Sequence, residues 1–333
     1  MSMTKSIIYL DQLFVSNFAK AEYVPGWPDD QKEYYLQLLQ ALRTQVSNNR
    51  LACPTSPFHQ QEAEQGKRVK DHVWHIVDRL SRGLSFNSYN QIHFSQLVSA
   101  AYKFSGKADD IVRDWSVAFN QDPHDPVESS FDDSEILVHL GLGDELLDYN
   151  RETTRLSADV YGGFKQNRMG FSSTFKDEVF GLKMQLLAET VLSPLDLIKA
   201  YPELEGDISN LGAIGVLENQ ARLIAVFRSC GVLDNYIKTR EVLNSKKLLG
   251  CPLLHIRASL MAVDIINYPE MVPSPSLGTD FEIVSSILPY VDILATDNHM
   301  AELIKQGGLS ETFSAKVYSM NSKRELLEEI ENI

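Results

Sequence analysis

Short apolar runs and helically spaced apolar positions alternate in the first part of the chain. Residues 6–10 form an apolar run rich in β-branched and aromatic side chains, which is typical of a buried parallel strand. Residues 11–20 and 29–49 place apolar side chains at helical spacing, and residues 51–53 form a second short apolar run. A long helical pattern follows over 58–80. This part of the sequence therefore predicts the order strand, helix, helix, strand, helix.

The last third of the sequence returns to the same alternation. It predicts helices over 251–267, 280–287 and 298–305, and strands over 291–295 and 316–319. Ser322 and Glu325 have the spacing of a capping box, which predicts the start of a terminal amphipathic helix.

The middle of the chain is dominated by helical patterns, which proline-containing turns interrupt. The predicted helices cover residues 107–120, 134–149, 171–192 and 207–229. Strand and helix alternation at both ends predicts that the terminal segments pair in one parallel sheet. We therefore predict an α/β domain from residues 1–85 and 251–333, with a central parallel sheet flanked by helices. Residues 86–250 are predicted to form a large all-helical insertion.

Composition and charge exclude several classes of protein. Hydrophobic residues make up 44% of the 333 residues and charged residues 23%, which is an ordinary globular mixture. No apolar run approaches the ~20 residues that span a bilayer, and the first run is too short for a signal peptide. We therefore expect a cytoplasmic protein with no membrane partner. The three cysteines, Cys53, Cys230 and Cys251, lack disulfide or zinc-site spacing, which predicts buried free thiols.

The acidic net charge of −14 argues against a general nucleic-acid coat protein, which would carry a basic surface. It does not exclude a nuclease. A site made of carboxylates adds negative charge to the protein, and bound cations reverse the local field.

Acidic residues occur where two of the predicted strands end. Asp11 directly follows the first strand, and Asp297 follows the strand over 291–295. Ligand sites in parallel α/β sheets lie beyond the carboxyl ends of the strands, so we expect these carboxylates at one edge of the sheet. Asp280 opens the helix before the second of these strands, and Glu62 lies on the helix after residues 51–53. Oxygen ligands of this kind suit Mg²⁺ or Mn²⁺ rather than zinc.

When each of these aspartates is considered alone, helix capping explains it better than metal binding does. Asp is a favoured N-cap residue, and Asp11, Asp280 and Asp297 each precede or open a predicted helix. The residues alone therefore leave two alternatives open, a carboxylate metal site and a set of helix caps. In either case Asp292, at the entrance of its strand, should lie at the opposite end of the sheet.

Three stretches of the sequence carry a resemblance to a known family. They are residues 7–12, a strand that ends on an aspartate, residues 53–62, a strand and a helix with a glutamate, and residues 278–297, an acidic block. Together they resemble the PIN-like domain nucleases, a family of metal-dependent nucleases. The resemblance covers the two terminal parts of the chain. It implies that the protein is a divergent member of the family with a large helical insertion.

The resemblance implies that Asp11, Glu62, Asp280 and Asp297 bind Mg²⁺ or Mn²⁺ and act as the catalytic acids. Glu64 is a close alternative to Glu62. The implied activity is metal-assisted hydrolysis of phosphodiester bonds by an endoribonuclease-like enzyme, with RNA rather than DNA as the expected substrate.

Four residues near these acids are candidates for contact with the substrate: His59, Lys67, Arg68 and Asn298. The helical insertion is a candidate surface for a protein partner or for homo-oligomer formation. Two alternatives to the nuclease stay open. One is a catalytically inactive PIN-like scaffold or binding protein, and the other is a helical interaction protein whose acids are only helix caps.

Overall fold

The structure is a computed structural model that describes residues 5–59, 70–107, 115–124, 173–176, 179, 250–272, 274 and 276–333. The helices predicted over 134–149 and 207–229, and most of the one over 171–192, lie outside these residues. The description below therefore concerns mainly the two terminal parts of the chain.

Four short strands form one parallel sheet. They are β1 (Ser6–Leu10), β2 (Leu51–Ala52), β3 (Ile293–Ala295) and β4 (Lys316–Tyr318), and their order in the sheet is β2-β1-β3-β4. Each neighbouring pair is parallel. The two ends of the chain therefore meet in the centre of the sheet, where Leu10 pairs with Ala295, and the predicted parallel α/β sheet is confirmed.

The helix over 89–104 was not predicted, and of the helix predicted over 107–120 the described residues show only 115–118 as helical. Elsewhere helices follow the strands as the apolar spacing predicts. Their bounds are α1 (Gln12–Tyr23), α2 (Asp29–Ser47), α3 (Lys70–Ser81), α4 (Tyr89–Phe104), α5 (Trp115–Ala118), α6 (Pro252–Asn267), α7 (Leu277–Ile287), α8 (Asn298–Gln306), α9 (Leu309–Phe313) and α10 (Lys323–Glu331). Two 3₁₀ turns, Leu288–Tyr290 and Met320–Ser322, precede β3 and α10. The first of these turns joins α7 closely to β3.

Both faces of the sheet are covered at its two central strands, which explains why residues 7–10 and 293–295 are apolar and buried. Ile8 and Leu10 point into a core that α1, α2, α3 and α10 complete. Tyr9 points to the other face, where its ring stacks on His59 at 5.0 Å between centroids and meets Phe86 edge-on at 5.9 Å. Burial of one such large apolar side chain contributes about 1.5–3 kcal/mol, so this central strand is firmly held.

The C-terminal helix α10 is fastened to α2 by side chains that bond its backbone. The Tyr34 hydroxyl donates to the carbonyl of Lys323 at 2.6 Å, and the Gln45 amide donates to the carbonyl of Ile330 at 3.0 Å. Together with the sheet, these bonds join the N-terminal and C-terminal segments in one body.

The capping box predicted at Ser322 and Glu325 is wrong. Ser322 makes no side-chain cap for α10. Its hydroxyl instead accepts the backbone N–H of Ser319 at 2.8 Å, while the Ser319 hydroxyl accepts from Asn321 at 3.2 Å. The box therefore forms three residues earlier, because a 3₁₀ turn intervenes between β4 and α10.

The described residues group into two compact units. The first contains residues 5–59, 70–89 and 115–124 and the C-terminal part from residue 267, and therefore the whole sheet. The second contains most of α4 and α6, where the backbone N–H of Leu253 donates to Gln96 at 2.7 Å. No helix in the described part of the chain has the length and apolar character to cross a membrane.

Candidate metal centre

Asp11 stands at the junction between β1 and α1. Its backbone is extended, with φ −61° and ψ 155°, and its carboxylate Oδ1 accepts the N–H of Gln12 at 2.7 Å as the N-cap of α1. Its own N–H donates to the carbonyl of Ala295 at 2.8 Å, which continues the β1–β3 pairing by one residue. The strand therefore delivers this carboxylate to the carboxyl edge of the sheet.

Asp297 occupies the equivalent junction between β3 and α8. Its Oδ1 accepts the backbone N–H groups of His299 at 2.7 Å and Met300 at 3.1 Å. The predicted capping role is therefore confirmed for both Asp11 and Asp297. A cap engages only part of a carboxylate's capacity, since its two oxygens offer about four lone-pair sites.

Thr296 links the two junctions. Its hydroxyl donates to Oδ2 of Asp11 at 3.2 Å, while its backbone N–H donates to the carbonyl of Tyr318 at 3.0 Å. The backbone N–H of Asp297 also favours the ionised form of Asp11. The Asp11 carboxylate therefore lies directly beside the end of β3.

Burial raises the pKa of Asp11 from its ordinary value of 3.8 to about 6, and the nearby charge of Asp297 adds to this effect. The hydrogen bonds from Gln12 and Thr296 act in the opposite direction, because they stabilise the carboxylate. The dominant cause is loss of water around a charged group.

Asp280 joins the same acidic group from the first turn of α7. Burial, followed by the charge of Asp11, raises its pKa from 3.8 to about 7. The charge of Asp297 acts in the same direction, whereas a hydrogen bond with Ser276 and the charge of His299 act against it. The charge of Asp297 therefore acts on both Asp11 and Asp280, and the charge of Asp11 acts on Asp280.

The fourth predicted acid, Glu62, lies outside the described residues, as do Glu64, Lys67 and Arg68. Among the residues that are described, no three or more His, Cys, Asp or Glu side chains form a group able to hold a metal ion. The three aspartates are therefore linked only by the effect of their charges on the pKa values of Asp11 and Asp280. The predicted four-acid ligand set stays a prediction.

His59 and Asn298, two predicted substrate contacts, differ in their exposure. His59 is only 3% exposed, and both of its ring nitrogens have hydrogen-bond partners. Asn298 is exposed on the first turn of α8, where its Oδ1 accepts the backbone N–H of Asn321 at 3.0 Å. Of the two, Asn298 is therefore the side chain that solvent can reach.

Asp292 lies at the amino end of β3, as the sequence predicts. Its Oδ2 accepts the backbone N–H of Ile7, near the start of β1, at 2.8 Å. The strand separates it from Asp297, so the two aspartates mark opposite edges of the sheet.

Sequence reasoning missed Thr296 and gave no structural role to His299. The signal for Thr296 was its position, because a hydroxyl residue stood directly between a strand end and a candidate acid. His299 lies on the first turn of α8 and meets Tyr268 edge-on at 4.9 Å between ring centroids. The charge of His299 acts to lower the pKa of Asp280, so this histidine belongs to the surroundings of the three aspartates.

Two of the cysteines are confirmed as buried free thiols. Burial raises the pKa of both Cys53 and Cys251 to about 12, so neither forms a thiolate at neutral pH. Cys230 lies outside the described residues.

Comparison of the chain with protein-family models, curated proteins and solved structures gives no match.

Proposed function

We propose that the protein is a Mg²⁺- or Mn²⁺-dependent nuclease of the PIN-like type, with RNA as its substrate. One observation carries the proposal. The buried carboxylates of Asp11 and Asp280 have raised pKa values, and nearby acids contribute to both shifts. Like charges at the carboxyl edge of a parallel sheet repel each other and destabilise the fold unless a cation balances them.

The donor set suits a hard divalent cation, because every candidate ligand atom is a carboxylate oxygen. Both hydrogen bonds to Asp297 end on Oδ1, so Oδ2 would be the oxygen that binds a cation. In Asp11 each oxygen accepts one hydrogen bond and keeps further lone-pair capacity. The family resemblance adds Glu62 as a fourth oxygen ligand.

In this mechanism the aspartates hold and orient the cation, and Thr296 fixes the direction of the Asp11 carboxylate. The bound ion would lower the pKa of a water molecule and balance charge on the leaving oxygen. Asn298, exposed beside Asp297, would contact the phosphate backbone of the substrate. The choice of RNA rests on the family resemblance.

The test is a Mn²⁺ titration of wild type and two variants that each lose one negative charge. Asp11→Asn removes a proposed ligand, whereas Asp292→Asn makes the same change at the opposite edge of the sheet. We expect Mn²⁺ to raise the melting temperature of wild type and Asp292→Asn, and to leave Asp11→Asn unchanged. Single-stranded RNA should be cleaved in Mn²⁺ by the first two proteins and not by the third.

The alternatives give different results in the same experiment. Metal binding without cleavage over a broad panel of RNA and DNA would favour the inactive PIN-like scaffold. No effect of Mn²⁺ or Mg²⁺ on wild type would leave helix capping as the role of Asp11 and Asp297, and would overturn the proposal.

A further inference from the structure

The buried side chain of His59 uses its two ring nitrogens in different ways. Nδ1 accepts a hydrogen bond from the backbone N–H of Ser56 at 3.2 Å. Nε2 lies 2.7 Å from the carbonyl oxygen of Leu10. Because Nδ1 accepts, the ring proton sits on Nε2, which therefore donates to Leu10. Burial lowers the pKa of His59 to about 4, so the ring is neutral at pH 7.

The first of these links is half of a capping box. The Ser56 backbone donates to the His59 ring, and the backbone N–H of His59 lies 3.4 Å from the Ser56 hydroxyl. Residues 57–59 are helical, so Ser56 caps this helical segment and His59 takes the place that Glu or Gln usually occupies. A histidine here has a second nitrogen left for another partner.

The second link fixes the peptide bond that precedes Asp11. The Leu10 carbonyl and the Asp11 N–H belong to the same planar unit. His59 bonds the carbonyl at 2.7 Å, and Ala295 accepts the N–H at 2.8 Å. The His59 ring is also held on the face of Tyr9, with the two planes at 13°. The peptide is thus held from both sides by buried or strand-bound groups.

We propose that His59 is a positioning residue of the metal centre, which sets the direction of the Asp11 carboxylate by holding the Leu10–Asp11 peptide. It does not contact the substrate. This inference rests on the proposed metal-dependent function. Removing a residue that orients a metal ligand by hydrogen bonding typically lowers metal affinity about 10- to 100-fold.

Three variants separate positioning from simple stability. His59→Leu removes both links. His59→Gln supplies an acceptor and a donor on one terminal amide, and so can repeat both. Ser56→Ala weakens the cap but keeps both bonds of the ring, since the Ser56 partner is a backbone N–H. Each protein is freed of metal, and its Mn²⁺ affinity is measured by calorimetry beside its unfolding in urea.

We expect His59→Leu to bind Mn²⁺ at least about tenfold more weakly than wild type, and His59→Gln to recover most of this loss. Ser56→Ala should lose stability and keep its affinity. If His59→Leu does not fold, His59→Asn replaces it, because the shorter amide cannot bridge Ser56 and Leu10. Cleavage should show a lower kcat with an unchanged KM, since substrate binding does not involve the ring.

Wild-type affinity in His59→Leu, or in its His59→Asn replacement, overturns the inference. So does an affinity loss in Ser56→Ala that matches that of His59→Leu. If wild type binds Mn²⁺ and Asp11→Asn does not, these results bear on His59 alone. If wild type binds no Mn²⁺, the proposed function and this inference fail together.

Discussion

The hydroxyl of Thr296 donates to the Asp11 carboxylate at 3.2 Å across a separation of 285 positions in the sequence. Thr296 is nearly fully buried, and its backbone is fixed by pairing with β4. The bond therefore joins the carboxyl ends of the two central strands through a buried side chain.

Thr296→Val keeps the shape of the side chain and removes this hydrogen bond. We expect the free energy of unfolding at pH 8 to fall by about 1–3 kcal/mol, because the bond is made to a charged group. Mn²⁺ affinity should fall as well, since Asp11 loses a group that orients it. Urea unfolding in EDTA and calorimetry measure the two effects.

Thr296→Ser is the matched control, because it retains the hydroxyl and loses only a methyl group. It should keep the Mn²⁺ affinity of wild type. Equal affinities in the Val and Ser variants would show that the hydroxyl does not orient Asp11.

Asp11→Asn should stabilise the metal-free protein at neutral pH. The pKa of Asp11 is about 6 in the folded chain and 3.8 in its ordinary state, so the folded chain holds this proton more tightly. Relative to the variant, wild type therefore loses stability as the pH rises from about 4 to about 6, and the difference approaches about 3 kcal/mol. Asparagine can still cap α1, so the cap is not lost.

The measurement is urea unfolding in EDTA at several pH values between 4 and 8. Thr296→Ser, which keeps both the Asp11 carboxylate and the hydroxyl bonded to it, serves as the control. A variant that is less stable than wild type at pH 8 would contradict the raised pKa of Asp11.

Binding of Mn²⁺ should strengthen as the pH rises from about 5.5 to about 7.5 and then level off. The ion competes with protons on Asp11 and Asp280, whose pKa values are about 6 and about 7. Calorimetry in two buffers of different ionisation enthalpy gives the number of protons released. Binding that does not change over this range would exclude both carboxylates as ligands.

Asp11→Asn should also lower the pKa of Asp280. The charge of Asp11 is, after burial, the largest cause of the raised value at Asp280. Carbon-detected NMR titration of the aspartate carboxyl groups follows this shift directly. An Asp280 titration that is identical in wild type and variant would mean that the two carboxylates do not interact.

The strands and their acids were predictable because their signals are local. β1 and β3 are apolar and buried, and each is followed within two residues by the aspartate that caps the next helix. Parallel pairing then follows from the alternation of strands and helices. The approach of Asp280 to Asp11 was predictable only as a consequence of that pairing.

The sequence could not show how the acids are held. The Thr296 bond and the His59 link to Leu10 join distant segments. Whether such bonds form depends on differences of a few tenths of an ångström in the positions of donor and acceptor. The sequence also could not show that His59 is buried, since a histidine near candidate acids suggests contact with substrate as readily as a role in the core. The displaced capping box at Ser319 has a similar cause, since the choice between two serines depends on a turn that spacing does not reveal.

The pairing of β1 with β3 also determines when Asp11, Asp280 and Asp297 can come together during synthesis. β1 is synthesised long before β3, because Ile8 pairs with Ile293 far along the chain. Contacts this distant in sequence close late and slowly. A growing chain therefore keeps Asp11 apart from Asp280 and Asp297 until β3 has been synthesised and can pair with β1.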